Sequence, residues 1–378
     1  MKIAFIPSTF LPIIGGAEIQ THNLGNKISE KHKVDIFLLK NTVIKKKKYK
    51  IKVLPLYLIN IVYLFKYYLN LDFTFFYFNY FKKLIKKEKY DIWHFHSLNY
   101  KTLLFILVLN KLNQKIAVTF QGADIQIQKN IGYGYRLKKK YNKLFLKTIR
   151  KIDIFFSISQ NIKRDLLLLK VDKKKIFNIP NAVDFQKVKK IKIERNRYLT
   201  ILTIGRFAEK KKGFDLIEKV SKHLINKIKF QWIIIGRDTN QLKKKLFYQK
   251  NKDNFLILDE IKNDEDYTFP NNILLKYYKR SHVYANMARI ESFGITLIEA
   301  MASYLPIVSF KTKGGIDLIK NNKNGYLVDN KNFTYFSKKI IQFYKKKPNL
   351  KKFNDIYLRK FDLKNVAKNT IEIYKKFT

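Results

Sequence analysis

A chain of 378 residues and 45.3 kDa is too long for one typical core and suits two domains of about 150 to 200 residues each. With 46% hydrophobic and 15% aromatic residues it can fold, and its 78 Lys+Arg against 29 Asp+Glu, a formal +49, favour polyanionic partners: nucleic acid, anionic membrane or phosphorylated substrates. The lack of cysteine excludes a disulfide framework, a thiol nucleophile and a thiolate metal site.

The first residues, MKIAFIPSTF, carry a short apolar run with Pro7 and Pro12 close behind and no small-residue cleavage site, which reads as a mature cytoplasmic start. Short β-rich runs then alternate with amphipathic segments, the rhythm of βα units around parallel sheets. Strands are predicted at 2–6, 34–39, 51–54, 92–96, 116–120, 154–158 and 175–179. A helix begins at Gly15-Gly16 and sets Ala17, Thr21, Leu24 and Ile28 on one face, leaving Lys27 and Lys31 to solvent. Residues 54–89 break the rhythm, dense in Tyr, Phe, Leu and Ile and then basic at Lys82, Lys83, Lys86, Lys87 and Lys89. Their longest apolar run, 12 residues at 54–65, is short of the roughly 20 that a spanning helix needs. After the polar segment 184–197 the rhythm restarts, with strands at 199–204, 231–235, 255–258, 282–286 and 306–309. Two doubly wound domains meeting near residue 190 are the simplest account, and the cleft between them is the expected site.

Three segments could carry chemistry. The strand at 2–6 leads through Gly15-Gly16 into a helix, so N–H groups at a helix N-terminus meet a strand's carboxyl edge, an anion site or an ordinary tight turn. The strand at 199–204 runs into Gly205-Arg206, with Lys212-Gly213 at a helix start. Two fixed cations there could stabilise charge developing on a diphosphate without metal; in so Lys-rich a chain Lys212 also reads as a solvated surface residue. The third is Glu291-Ser-Phe-Gly-Ile-Thr-Leu-Ile-Glu299, following the strand at 282–286, with Leu297, Ala300 and Met301 as the apolar helix face. Glu299 sits among apolar neighbours and needs polar partners. Two sugar hydroxyls would suit it, as would one of the many lysines, while Glu291 could cap the helix. Asp264 and Asp266 form an Asp-x-Asp that would suit a metal-dependent enzyme, but their polar setting reads as a surface loop.

Taken together, GGAEIQTHNL (15–24), DIWHFH (91–96), TFQGADI (119–125), SISQNI (157–162), IPNAVD (179–184), IGRFAEKKKGFDLI (204–217), RIESFGITLIEAMA (289–302), PIVSF (306–310) and GGIDLIKNNKNGYLV (314–328) resemble, in order and over almost the whole chain, the retaining glycosyltransferases of family 4. The resemblance implies an α/β GT-B fold of two facing Rossmann-like, doubly wound domains with an interdomain cleft. It places the acceptor-side domain at 1–188, the nucleotide-sugar domain at 189–360, and a C-terminal helix at about 361–378 packing back on the first. By position, Gly15 and Gly16 would approach the donor diphosphate, and Arg206 and Lys212 would clamp it. Glu291 and the backbone of Phe293, Gly294, Ile295 and Thr296 would hold the donor sugar, and Glu299 the ribose. Gln121 stands where many members carry His, and completes a catalytic set with Arg206, Lys212 and Glu291; Asp317 replaces the usual Glu.

The implied reaction moves a hexose from a UDP- or GDP-sugar to a hydroxyl of a glycan or glycolipid, with no metal and no other cofactor. The expected location is cytoplasmic, with the inner face of the plasma membrane as an anionic surface for residues 54–89. A nucleotide-sugar 2-epimerase or a phosphorylase could share the fold. A nucleic-acid binder is disfavoured, because the basic residues are spread through every helix and no nucleic-acid module is recognisable.

Overall fold

The computed structural model describes residues 1–54, 56–261, 267 and 269–378, apart from the side chains of 56, 57, 59, 76 and 77. The Asp264/Asp266 pair lies outside the described residues. The chain divides into two compact units, Met1–Asn181 with Leu363–Thr378, and Ala182–Asp362.

The first unit carries β1 (Lys2–Pro7), β2 (Lys33–Leu38), β3 (Lys50–Val53), β4 (Ile92–His96), β5 (Ile116–Phe120), β6 (Ile154–Ser157) and β7 (Ile176–Asn178), all parallel, in the order β3-β2-β1-β4-β5-β6-β7. Its helices are α1 (Gly16–Ile28), α2 (Leu56–Leu64), α3 (Phe75–Glu88), α4 (Tyr100–Lys111), α5 (Lys139–Ile149), α6 (Gln160–Leu168) and, from the far end of the chain, α16 (Leu363–Tyr374). The second unit has β8 (Leu199–Ile204), β9 (Phe230–Ile235), β10 (Phe255–Leu258), β11 (Val283–Asn286), β12 (Ile307–Phe310) and β13 (Gly325–Val328) in the order β10-β9-β8-β11-β12-β13. Around it lie α7 (Phe185–Lys190), α8 (Glu209–Lys212), α9 (Asp215–Ser221), α10 (Leu246–Lys250), α11 (Asn272–Arg280), α12 (Ile295–Ala302), α13 (Lys313–Leu318), α14 (Phe333–Lys346) and α15 (Lys351–Tyr357). Each sheet reverses its strand order beside its first strand, which opens a crevice at the carboxyl ends.

The central strands read as unbroken apolar runs because helices cover both faces of a parallel sheet. β4 (IWHFH) and β5 (IAVTF) are buried at every position. Some of the buried polar atoms pair with each other across the elements. Trp232 of β9, fully buried, donates Nε1–H to Thr203 Oγ1 at 3.0 Å, and His94 of β4 has Nε2 2.7 Å from Thr119 Oγ1 while Nδ1 meets the Tyr374 hydroxyl of α16.

The strands expected at 92–96, 116–120, 199–204 and 255–258 stand at those residues. β13 has no counterpart among the predicted strands, since its four residues begin on glycine within an Asn- and Lys-rich stretch. The face expected for α1 is buried at Thr21, Leu24 and Ile28, but Gln20, His22, Asn23 and Gly25 are buried as well, because α16 also packs on this helix. The sequence placed the domain division at 188 and the returning helix at about 361; the units divide at Asn181–Ala182 and α16 begins at Leu363. The shift arises because α7 buries Phe185 and Val188 within the second unit, and the preceding Val183 N–H donates to Phe361 O at 3.0 Å.

Within residues 56–88 lie α2, a π-helical turn at Phe65–Leu69, and α3. Their apolar side chains divide. Leu58, Val62 and Phe81 enter the core, whereas Leu64 (51%), Tyr68 (63%), Leu69 (61%), Leu71 (49%) and Phe75 (53%) stay exposed around one turn. Lys82, Lys83, Lys86 and Lys87 further along α3, and Lys89 at its end, are exposed as well. Among the described residues no helix is long and apolar enough to cross a membrane.

Candidate active site

In the second unit β8 ends at Ile204 and the chain turns through Gly205-Arg206 into the short helix α8. The end of α8 is tied to the loop after β11, as Lys211 O accepts the N–H groups of Arg289 (2.9 Å) and Ile290 (3.2 Å). Arg289 clamps the same region, gripping Asp215 with two bonds of 2.8 and 2.6 Å and Glu209 O at 2.7 Å. Paired planar groups of this kind fix orientation as well as charge. The clamp brings Lys212 Nζ to 2.7 Å from Glu291 Oε2, so two residues assigned separate roles from sequence are bonded to each other. Burial pushes the neighbouring Lys211 amine down to about 8, helped by the positive charges of Lys212 and Arg206 and opposed by Glu291. Arg206 itself is exposed. Three cations and one carboxylate thus gather at the carboxyl end of β8.

The loop carrying Glu291 leads to Gly294, the N-cap of α12, at φ 102°. That left-handed backbone favours glycine, and a Cβ would stand 2.7 Å from Leu297 Cδ1. Gly314, at the start of α13, closes on the same loop by donating its N–H to Glu291 O at 2.7 Å, where a Cβ would come within 2.8 Å of that oxygen. The Glu291 carboxylate is thus spent on Lys212 rather than on capping α12, while its backbone carbonyl holds the first turn of α13. Phe293 is buried against Phe361, and Ile295 and Thr296 open α12 half-buried, at an N-terminus whose first N–H groups have no bond within the helix.

Glu299, one turn further along α12, is 4% exposed. Its Oε2 accepts the Tyr278 hydroxyl of α11 at 2.9 Å. The polar partner required by burial is thus a tyrosine. Burial pushes the carboxyl up to about 7, with Tyr278 and the charge of Lys187 on α7 pulling the other way.

The first unit holds the remaining assigned residues. Gly15 and Gly16 begin α1, but the Glu18 carboxylate lies beside them, with Oε2 2.6 Å from where a Gly15 Cβ would be and Oε1 accepting from the Thr9 hydroxyl. The positive end of α1 already faces one negative charge, which a diphosphate would have to displace or share. Gln121 follows β5 and exchanges amide hydrogen bonds with Asn181, donating at 3.5 Å and accepting at 3.2 Å. Its backbone N–H and that of Gly122 reach the buried Asp124 carboxylate, which Leu98 N–H also meets. Asn181, Lys211 and Tyr278 were not singled out from the sequence; the first two stand within matched motifs, and nothing local marks Tyr278.

Residues 14–187 match the profile of Glycosyltransferase Family 4 and residues 184–356 that of Glycosyl transferases group 1. The chain belongs to this glycosyltransferase family, and its two α/β units are of the GT-B class. The poly(ribitol-phosphate) alpha-N-acetylglucosaminyltransferase of Staphylococcus aureus (strain COL) is 28% identical over 242 residues, 62% of this chain, which spans 44% of that protein's length. A glycosyltransferase from Rickettsia africae ESF-5 has the same fold, with a TM-score of 0.72 at 21% identity over 100% of this chain and 98% of its own. Anabaena Alr3699/HepE, in complex with UDP, gives a TM-score of 0.74 at 13% identity and covers 100% of both chains.

Proposed function

We propose that this chain is a retaining, metal-independent hexosyltransferase that moves a hexose from a UDP- or GDP-sugar to a hydroxyl of a glycan or glycolipid acceptor. The observation that carries the reading is the cluster of Arg206, Lys211, Lys212 and Glu291 at the end of β8, in the same unit as the α12 N-terminus and Glu299. The UDP bound by the Anabaena neighbour supports a nucleotide donor.

As the bond between the anomeric carbon and the phosphate oxygen breaks, negative charge grows on the diphosphate. Arg206 and Lys212 stabilise it, and Glu291 orients Lys212 and binds the sugar. The acceptor oxygen bonds to the anomeric carbon on the face the phosphate leaves, and its proton passes to the departing phosphate oxygen. Glu299 takes the ribose hydroxyls. Gln121, oriented by Asn181, donates to a hydroxyl of the transferred sugar. The test is thermal stabilisation by UDP-, GDP- and ADP-sugars in EDTA, followed by transfer assays. One nucleotide class should raise the melting temperature, and transfer should persist in EDTA; abolition by EDTA removes the metal-free mechanism.

The exposed Leu64, Tyr68, Leu69, Leu71 and Phe75, with the exposed lysines later in the same segment, support an anionic bilayer on the cytoplasmic face as a peripheral partner. Aromatics seat at the lipid interface, and each nearby lysine contributes about 1 kcal/mol. Liposome sedimentation should show binding that needs anionic lipid and weakens with salt. Substituting Leu69 and Phe75 by Ser should reduce it several-fold, as should changing Lys82, Lys83, Lys86, Lys87 and Lys89 to Gln. Undiminished binding of both variants removes this surface as the contact.

A further inference from the structure

Nearly all cations of a chain this basic can stay in water, yet Lys187 on α7 does not. Its Nζ is buried and makes no hydrogen bond among the described residues, while Lys189 and Lys190 on the same helix are exposed. A buried, unpartnered ammonium is costly unless another charge offsets it. α7 packs on α12; burial pushes the Lys187 amine below its ordinary value, and the acidic groups that oppose this and favour the ammonium are Asp184, at the α7 N-cap, and Glu299. Asp184 is engaged with the α7 backbone, accepting Lys187 N–H at 3.0 Å.

Glu299 is the other half of this arrangement. The groups acting on its carboxylate are Tyr278 from α11 and Lys187 from α7. Tyr284 of β11 also feels its charge. Of the further elements packed on α12, α13 brings Lys313 and Asp317, the 3-10 turn Leu358–Phe361 brings Arg359 and Lys360, and α15 brings Lys351, Lys352 and Asp355. Asp355 is held by Lys189 at 3.0 Å and by Tyr304 at 2.9 Å. Tyr278 supplies one hydrogen bond and no charge. Lys187 supplies charge and no hydrogen bond.

We propose that Lys187 is a positioning residue of the nucleotide subsite, its buried ammonium acting across the α7–α12 packing to seat the Glu299 carboxylate, charged, for two ribose hydroxyls. The inference rests on the ribose assignment of Glu299. A carboxylate can accept both hydroxyls, whereas its protonated form loses acceptor capacity and affinity. Because burial alone drives the Glu299 carboxyl upward, removing the ammonium lifts it further, so the ionised fraction at neutral pH falls.

The experiment is calorimetric titration of the full chain with UDP from pH 6.5 to 9, for wild type, Lys187→Met, Lys187→Gln and Lys187→Arg. Read as the ratio of wild-type to variant affinity, the ionisation of UDP itself cancels. At pH 7 Lys187→Met and Lys187→Gln should bind about fivefold more weakly, the loss expected for an upward shift of one pH unit. They should converge on wild type toward pH 9. Lys187→Arg, which keeps the charge, should track wild type throughout. A loss independent of pH, or no loss, overturns the proposal, because a merely structural lysine would give one or the other. Failure of the ribose assignment reads differently: wild type would then bind 2′,3′-dideoxy-UDP as tightly as UDP, which overturns both readings.

Discussion

Arg206→Ala and Lys212→Ala are each expected to lower turnover by about 100- to 1000-fold, roughly 3–4 kcal/mol of transition-state stabilisation. The two should part company in stability. Arg206 is exposed, so its loss leaves the melting temperature unchanged, whereas Lys212 is bonded to Glu291 at 2.7 Å and its loss strands a half-buried carboxylate. Glu291→Gln in the Lys212→Ala background should recover stability without recovering rate. Because the residues share one interaction, their effects should not add. Initial rates and thermal midpoints on the four proteins decide the matter: a Lys212→Ala enzyme that is less stable but turns over normally reduces Lys212 to a structural partner of Glu291.

Glu299→Gln is expected to make the protein more stable and a poorer nucleotide binder. Burial raises the carboxyl to about 7, above its value in the unfolded chain. Such a group contributes stability fully present below the unfolded value and lost as pH rises through about 7. At pH 8 the wild type therefore folds against the cost of an ionised, buried Glu299, roughly 3 kcal/mol at most. Gln keeps an acceptor for Tyr278 and carries no charge, so the variant should melt higher at pH 8 and nearly alike at pH 5. Affinity for the nucleoside diphosphate should fall about 10- to 100-fold, the range for losing charge-assisted hydrogen bonds. Glu291→Gln should leave that affinity intact, since its assigned partner is the sugar. Equal losses in the two variants would falsify the division between ribose and hexose.

The alternation of apolar runs was enough to place most strands, because a strand covered on both faces can hardly be anything but apolar. β13 escaped, as GYLV is brief and lies in an Asn- and Lys-rich stretch. Glu291 and Glu299 were legible because scarce acids at fixed spacing stand out in a basic chain. Their partners were not. Nothing in a sequence with 78 Lys+Arg marks Lys187 as buried, and the Gln121–Asn181 exchange joins residues 60 positions apart. The exposed ridge at α2 and α3 was visible as composition, but which of its side chains turn outward depends on a π-helical turn that periodicity does not announce.

The route of the chain has a consequence for its synthesis. α16 belongs to the first unit, where Tyr374 is fully buried and joined to His94 of β4. A ribosome therefore makes all of the second unit before it makes the piece that closes the first. During those seconds the side of α1 that α16 will cover stays open to water. The later-made unit can close while the earlier-made one still waits for its last helix.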